Sequence, residues 1–381
     1  MYILTRYVVW EVLKSFLAAL AALTLMVTLG MGFKEGMSRG LPPVIMLQTM
    51  PFMLPEMLGI TIPVAMLYAV SSVFGRMTGS NEVVALKSLG ISPMALVWPV
   101  LVTASFMSLG TVWMYEIAAT WCRPNVQRIA AESIEEIAYG MLRKNRSFSS
   151  DQFSIAVKRV DDRKLIQPRI TLYGQPGRPQ ITLTATEAEL HTDKQDHLLW
   201  IVCRNSVVEY GDIGMSFPGQ EKYSVPIIIP PLPPYHRDWV AMGAIPDKIA
   251  ELQTGLRGLE QYREAQKALG EPESKEDANK IDEYRFLIFR LKTEPFRRWS
   301  NGFTCLCFAL IGTPVAMLWR HTDVLTNFFV CFLPILAVYY PLLMLGEDLS
   351  TSGVLPPISF WMGNVILVIP AVALLRWIVR H

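Results

Sequence analysis

Six stretches of this chain, 15–33, 57–75, 91–115, 299–319, 324–346 and 354–375, contain no Asp, Glu, Lys or Arg. Each is close to or beyond the roughly 20 apolar residues that a helix needs to cross the hydrocarbon core of a bilayer. Most of the 35 Lys and Arg and 33 Asp and Glu lie between Glu116 and Arg298. That separation excludes a single water-soluble globule, and 51% hydrophobic residues exclude a disordered chain. The sequence predicts six membrane spans, three on each side of one large aqueous domain. The first span is too long for a cleaved signal sequence, and no small-residue cleavage site follows it.

Lys and Arg near the span ends predict the orientation. With the N-terminus inside, Arg6, Lys14, Arg76, Lys87, Arg320, Arg376 and Arg380 fall on the cytoplasmic side. Lys34 and Arg39 then occupy the short outer loops. Both termini are therefore expected in the cytoplasm, and the aqueous domain outside, in the periplasm of a cell with two membranes. Prolines such as Pro63, Pro99, Pro314, Pro334, Pro341 and Pro370 punctuate the spans; kinks that serve movement and plain bundle packing both account for them.

The aqueous section divides in two. Short runs at 152–160, 165–173, 180–190, 198–202 and 207–210 are rich in Val, Ile, Thr and aromatics, with turn residues between them. They predict a β-sandwich or jelly-roll ending at the proline cluster Pro230, Pro231, Pro233 and Pro234. Apolar residues then recur at helical spacing, at Ile245, Ile249, Leu252, Leu256 and Leu259 and again at Ile281, Tyr284, Ile288 and Leu291. Two antiparallel helices interrupted at Gly270 are expected. The boundaries are 1–118 for the first three spans, 119–240 for the β domain, 241–298 for the helical hairpin and 299–381 for the last three spans.

The chemistry of several function classes is missing. A net charge of +2 gives no bulk attraction to nucleic acid. Cys122, Cys203, Cys305, Cys307 and Cys331 form no CxxC pair, so neither a disulfide framework nor a metal site is expected. A Cys122–Cys203 bridge is the alternative to scattered buried thiols. No phosphate-binding GxxxxGK[ST] loop occurs, so any ATP that drives this chain must bind, with its Mg, to another subunit. A membrane enzyme would gather His, Asp or Glu at one face, and an ion-coupled transporter would place charge at mid-membrane. The five histidines are scattered and the span centres uncharged, so no catalytic residue is assigned.

The most informative segment lies between the second and third spans, on the expected cytoplasmic side. Ser80 or Asn81 can cap a helix, Glu82 suits its N-terminal dipole, and Gly90 can end it in the left-handed conformation before Pro93. A short helix at about 80–90 carrying Val83, Val84, Leu86 and Leu89 is expected to lie along the membrane surface. Its apolar face suits either lipid or a groove on a cytoplasmic ATPase.

The run NEVVALKSLGISP from Asn81 to Pro93, with MLPEMLGITIP from Met53 to Pro63, closely resembles the LptF/LptG family of lipopolysaccharide-export permeases. So do Arg6, Tyr7 and Glu11 in the first span, FALIGTP from Phe308 to Pro314, Tyr339 and Tyr340, and GVLPPISFW from Gly353 to Trp361 with Asn364. The resemblance implies an ABC transporter built from two such permeases, alike or paired, on a dimer of ATP-binding subunits. It implies lipopolysaccharide entering between the permeases through gates at the first and fifth spans, then passing to a periplasmic bridge of jelly-roll proteins. It further implies that the helix bearing Asn81, Glu82, Val83, Ala85, Leu86 and Gly90 couples to the ATPase, with Glu82 at the acidic coupling position. The section at about 245–290 departs from the family's shorter route back to the membrane.

A phosphorylated, many-chained lipid needs an apolar cavity rimmed by cations at head-group depth. Lys34, Arg39, Arg123 and Arg128 are the candidates, Arg for forked phosphate contacts and Lys as a point charge. The same residues also suit anchoring of helix ends to phospholipid. An ABC exporter of lipoprotein or another lipid is the alternative function.

Overall fold

The computed structural model describes residues 2–39, 43–122, 124–125, 129, 134–149, 153–173, 181–193, 198–210, 213–228, 240–268, 275–319, 324–352 and 355–380. They form two units. One comprises Met1–Val27, Leu54–Cys122 and Tyr235–His381, the other Thr28–Met53 and Arg123–Pro234.

The described chain is mostly helical, with six helical segments long and apolar enough to cross a membrane. Helix α1 (Tyr2–Arg39) is followed by α2 (Pro43–Gly79), the short α3 (Glu82–Ser88) and α4 (Met94–Ile117). After the second unit come α6 (Ile245–Ala268), α7 (Lys275–Leu318), α8 (Val324–Pro334), α9 (Tyr340–Thr351) and α10 (Met362–Arg380). Pro334 cannot donate to the helical ladder, and the five residues after it, Ile335–Tyr339, run as a π-helical turn between α8 and α9.

Helix α2 occupies the middle of the first unit: 72% of its most apolar stretch is buried, against 28% in the first span and 17% in the fifth. Val8, Val12 and Phe16 of α1 recur every four residues and pack with Ala65, Ala69 and Phe74 of α2 and Val100 and Ala104 of α4. With no water to compete, small residues let these helices approach closely. A Cβ on Gly75 would come within 2.1 Å of the Asn327 amide on α8, so any other residue there has to displace that buried side chain.

Motif residues of the last three spans form a polar seam within this packing. Asn364 donates to the Ser300 carbonyl at 2.8 Å, Ser300 to the Phe360 carbonyl at 2.7 Å, and Thr304 bonds the Tyr339 hydroxyl at 2.7 Å. The Tyr339 ring meets Phe308 edge-on at 5.5 Å. Gly363 leaves room for that ring, since a Cβ there would be 2.9 Å from it.

The second arm of the expected hairpin does not stop at a membrane boundary. Helix α7 runs unbroken for 44 residues through Pro295 and Pro314, so the division drawn at 298/299 falls inside one helix. At 1.5 Å per residue it is about 66 Å long, twice the thickness of a hydrocarbon core. Leu252, Leu256, Tyr284, Ile288 and Leu291 zip α6 onto its first half.

The second unit carries an antiparallel sheet of eight strands among the described residues, β1 (Ser147–Ser149), β2 (Phe153–Ala156), β3 (Arg159–Asp161), β4 (Lys164–Ile166), β5 (Arg169–Leu172), β6 (Ile181–Asp193), β7 (Leu198–Tyr210) and β8 (Ile213–Ile228). The sheet curls around β6, which pairs with β5 and β4 along one edge and β7 along the other. The runs expected at 198–202 and 207–210 are one strand. A register shift between Arg204 and Ser206 moves the inward positions from Ile201 and Cys203 to Ser206 and Val208. At that bulge Asn205 takes the left-handed conformation (φ 51°) and its side-chain oxygen accepts from the Gly219 N–H at 3.1 Å.

Helix α5 (Ile134–Asn145), inside the 119–240 boundary but ahead of its first expected strand, packs Ala138, Tyr139 and Leu142 on the apolar face formed by Ile155, Leu165, Ile170, Leu183 and Ala188. The buried Tyr139 hydroxyl donates to the Arg163 carbonyl at 2.6 Å and accepts from the Leu190 N–H at 2.9 Å. Burial raises its pKa above the ordinary phenol value, so it stays protonated. Tyr139→Phe leaves that strand N–H buried without an acceptor. The expected cost is about 2 kcal/mol, measured as faster proteolysis of the sheet in the folded full-length protein.

Candidate functional site

The two ends of the helical unit hold its polar clusters. At the first, α2 ends and α3 begins. Asn81 occupies the N-cap position of α3 in the left-handed conformation, and its side chain makes no capping bond. Ser80 does not cap either: its hydroxyl turns back to the Arg76 carbonyl at 2.8 Å and lies 3.0 Å from the Glu82 carboxylate. The expected side-chain cap is therefore absent, and Glu82 is held half-exposed beside the first turn.

The C-terminal signal takes the expected form. Gly90 adopts φ 77°, the Gly90 N–H bonds the Lys87 carbonyl at 2.9 Å, and the Ile91 N–H reaches the Leu86 carbonyl at 3.0 Å. This paired closure needs the left-handed residue that glycine supplies without strain.

Helix α3 is fastened on one side and bare on the other. Val83 is buried and Leu86 packs beside it against α2 and α4. The Lys87 ammonium donates to the Ile378 carbonyl in the last turn of α10, where it also complements the helix dipole. Asn81, Val84, Ala85, Ser88 and Leu89 face outward, Leu89 with 75% of its surface exposed. Nearby, the Arg76 guanidinium on α2 donates to the Glu11 carboxylate on α1 at 2.7 Å. This end is a rigid platform that presents a small, partly apolar ridge.

The opposite end holds a cluster absent from the residues chosen by sequence. The Arg298 guanidinium, 3% exposed, donates to Glu294 at 2.9 Å and Glu116 at 2.8 Å and also to the Val240 carbonyl at 2.8 Å. Arg297 forms a fork on Glu294, whose carboxylate is fully buried, and Glu116 accepts from the Met242 N–H at 2.9 Å. Six polar groups thus tie α4, α7 and the chain entering α6 into one knot. The signal for it was Glu294 and Arg298 one helical turn apart, next to an uncharged span.

A cavity of about 140 Å³ lies just inside this knot, lined by Gly59, Tyr115, Asn301, Thr304 and Tyr339. It has room for a few waters and is far too small for a many-chained lipid anchor.

Of the residues chosen for lipid contact, Lys34 lies exposed on α1 and Arg39 is the last residue of that helix. Arg123 and Arg128 lie outside the described residues. A cation the sequence did not single out, Lys144 of α5, donates to the Met37 carbonyl at 2.8 Å and closes the end of α1. All five cysteines are buried and none is in a disulfide, so Cys122 and Cys203 are separate thiols.

Six helices long and apolar enough to cross a membrane, with a large sheet between the third and fourth and a short helix at one end, define the architecture of a polytopic membrane protein. The model of the lipopolysaccharide export system permease LptF/LptG family matches residues 6–377, essentially the whole chain, and the chain belongs to that family. Its members are permease components of a lipopolysaccharide-exporting ABC transporter and not enzymes. Comparison with individual curated proteins returned no match.

Proposed function

We propose that this chain is one of two permeases that extract lipopolysaccharide from the bacterial inner membrane and pass it to a periplasmic jelly-roll bridge. A second LptF/LptG-type subunit completes the pair, and a cytoplasmic dimer of ATPase subunits binds ATP and Mg and supplies the work. Both termini and α3 lie in the cytoplasm in this reading, and the curled sheet is the jelly-roll-like periplasmic domain within 119–240. The observation that carries it is the family match over residues 6–377.

Two structural features support the arrangement. The first and fifth spans leave the most surface uncovered, as gates facing a second subunit require. The cavity lined by Gly59, Tyr115 and Tyr339 is too small for the cargo, which fits a lipid cavity formed between subunits. Helix α3 offers Glu82 for charge-assisted hydrogen bonds and Val84 and Leu89 for apolar contact with the ATPase.

The deciding experiment is in-cell photocrosslinking from Met31, exposed near the end of α1, probed with antibody to lipopolysaccharide. An adduct that requires the ATPase supports the reading. Its absence, with adducts still formed on a known lipopolysaccharide carrier, favours an exporter of lipoprotein or another lipid. Lys34→Asp is expected to slow lipid transfer in proteoliposomes about tenfold with assembly intact, since a phosphate then meets a like charge. An unchanged transfer rate removes Lys34 from the lipid path.

A further inference from the structure

The second unit has a basic pocket of about 770 Å³ at the junction of α5 with the β3–β4 hairpin, lined by Arg143, Arg146, Lys158, Arg159 and Gln167 over apolar Leu142, Val160 and Ile166. No carboxylate is among its lining residues. Arg159 is paired with Asp161 at 2.7 Å, and Arg143 donates to the Asp162 carbonyl at 2.7 Å. Arg146 and Lys158 have no side-chain hydrogen bond or ion pair among the described residues, so their charges are available to a ligand.

The backbone around this pocket is fixed. The Val157 N–H bonds the Arg146 carbonyl at 2.9 Å, the Lys158 N–H the Ile166 carbonyl at 3.1 Å, and the Gln167 N–H the Thr186 carbonyl at 3.0 Å. Arg146 and Gln167 both sit in the left-handed region, φ 57° and 50°, at the two edges. Cations on rigid elements form a more selective site than the same charges on loose loops.

We propose that this pocket binds the phosphorylated sugar head group of the transported glycolipid as the cargo crosses the sheet unit, an inference that rests on the function proposed above. Guanidinium forks match phosphate oxygens, the Gln167 amide suits sugar hydroxyls, and the apolar floor suits a pyranose face. The volume falls in the range of small-molecule sites and fits a compact head group. An acidic peptide is the competing occupant, but it would engage the charges without needing a concave apolar floor.

The test places a photoreactive phenylalanine at Gln167 in the full-length protein in nanodiscs of zwitterionic lipid, with bisphosphorylated rough-type lipopolysaccharide as probe. Arg146→Asn, which keeps a residue tolerant of the left-handed conformation, is combined with Lys158→Gln. The adduct at 167 is expected to fall about tenfold in the double variant and with dephosphorylated glycolipid, to be competed by inorganic pyrophosphate, and to persist in Arg285→Gln, which removes a cation of α7 that pairs with Glu260 and belongs to the other unit. An adduct that is unchanged by the double variant or by dephosphorylation, or that only hexaglutamate displaces, overturns the proposal. The Met31 adduct, measured in parallel, separates the two failures. Its presence without one at 167 refutes the pocket alone, and its absence refutes the function.

Discussion

Arg298→Met is expected to destabilise the helical unit by about 3–5 kcal/mol, the usual cost of removing one member of a buried ionic cluster. Glu294 keeps Arg297 as a partner, so the loss concentrates on Glu116 and on the Val240 carbonyl, which then has no donor. The variant should aggregate at a markedly lower temperature in detergent, and the segment entering α6 should become the first site of proteolysis. Adding Glu116→Gln to Arg298→Met removes the stranded charge and should recover part of the loss, a non-additivity that neighbours in one network show. A cost below about 1 kcal/mol for Arg298→Met would mean that the knot is solvated like a surface pair.

The second large effect is expected at the bare face of α3. Val84→Asp with Glu82→Ala changes outward-facing side chains, and such surface substitutions typically alter stability by about 0.5 kcal/mol or less. At the centre of a subunit interface the same changes cost about 2 kcal/mol or more, roughly thirtyfold in affinity. The double variant should therefore purify as a monodisperse membrane protein with little ATPase attached. Normal co-purification would place the ATPase contact elsewhere. Val83→Asp is the contrasting variant: Val83 is buried, so its replacement should damage the bundle itself.

What could be read from the sequence follows from the solvent each segment meets. Bilayer thickness imposes a minimum apolar length, so all six spanning helices show as uncharged runs. Gly90 was legible because few residues other than glycine readily take φ 77°. The sheet was harder. Strand β8 spans Pro218, Gly219 and Pro226, which argue against a strand, and the bulge at Asn205 inverts the alternation by which β7 would be recognised. Helix α5 was hidden because three residues, Ala138, Tyr139 and Leu142, make up its main contact with the sheet. Of the Arg298 knot, only the local set Glu294, Arg297 and Arg298 shows in the sequence; its ties to positions 116, 240 and 242 are too distant along the chain to leave a pattern.

The unbroken length of α7 has a mechanical meaning. A helix resists bending because its turns are hydrogen-bonded to one another; Pro295 cannot donate such a bond, but Glu294 bonded to Arg297 and Arg298 bridges that position and couples the tilt of the two halves. With about 66 Å of rod and the Arg298 knot near its middle, a tilt of about 5° in the apolar half carries the free tip sideways by about 3 Å. The knot is then a fulcrum, and the α6–α7 pair is a pointer whose tip registers how the apolar half of α7 leans.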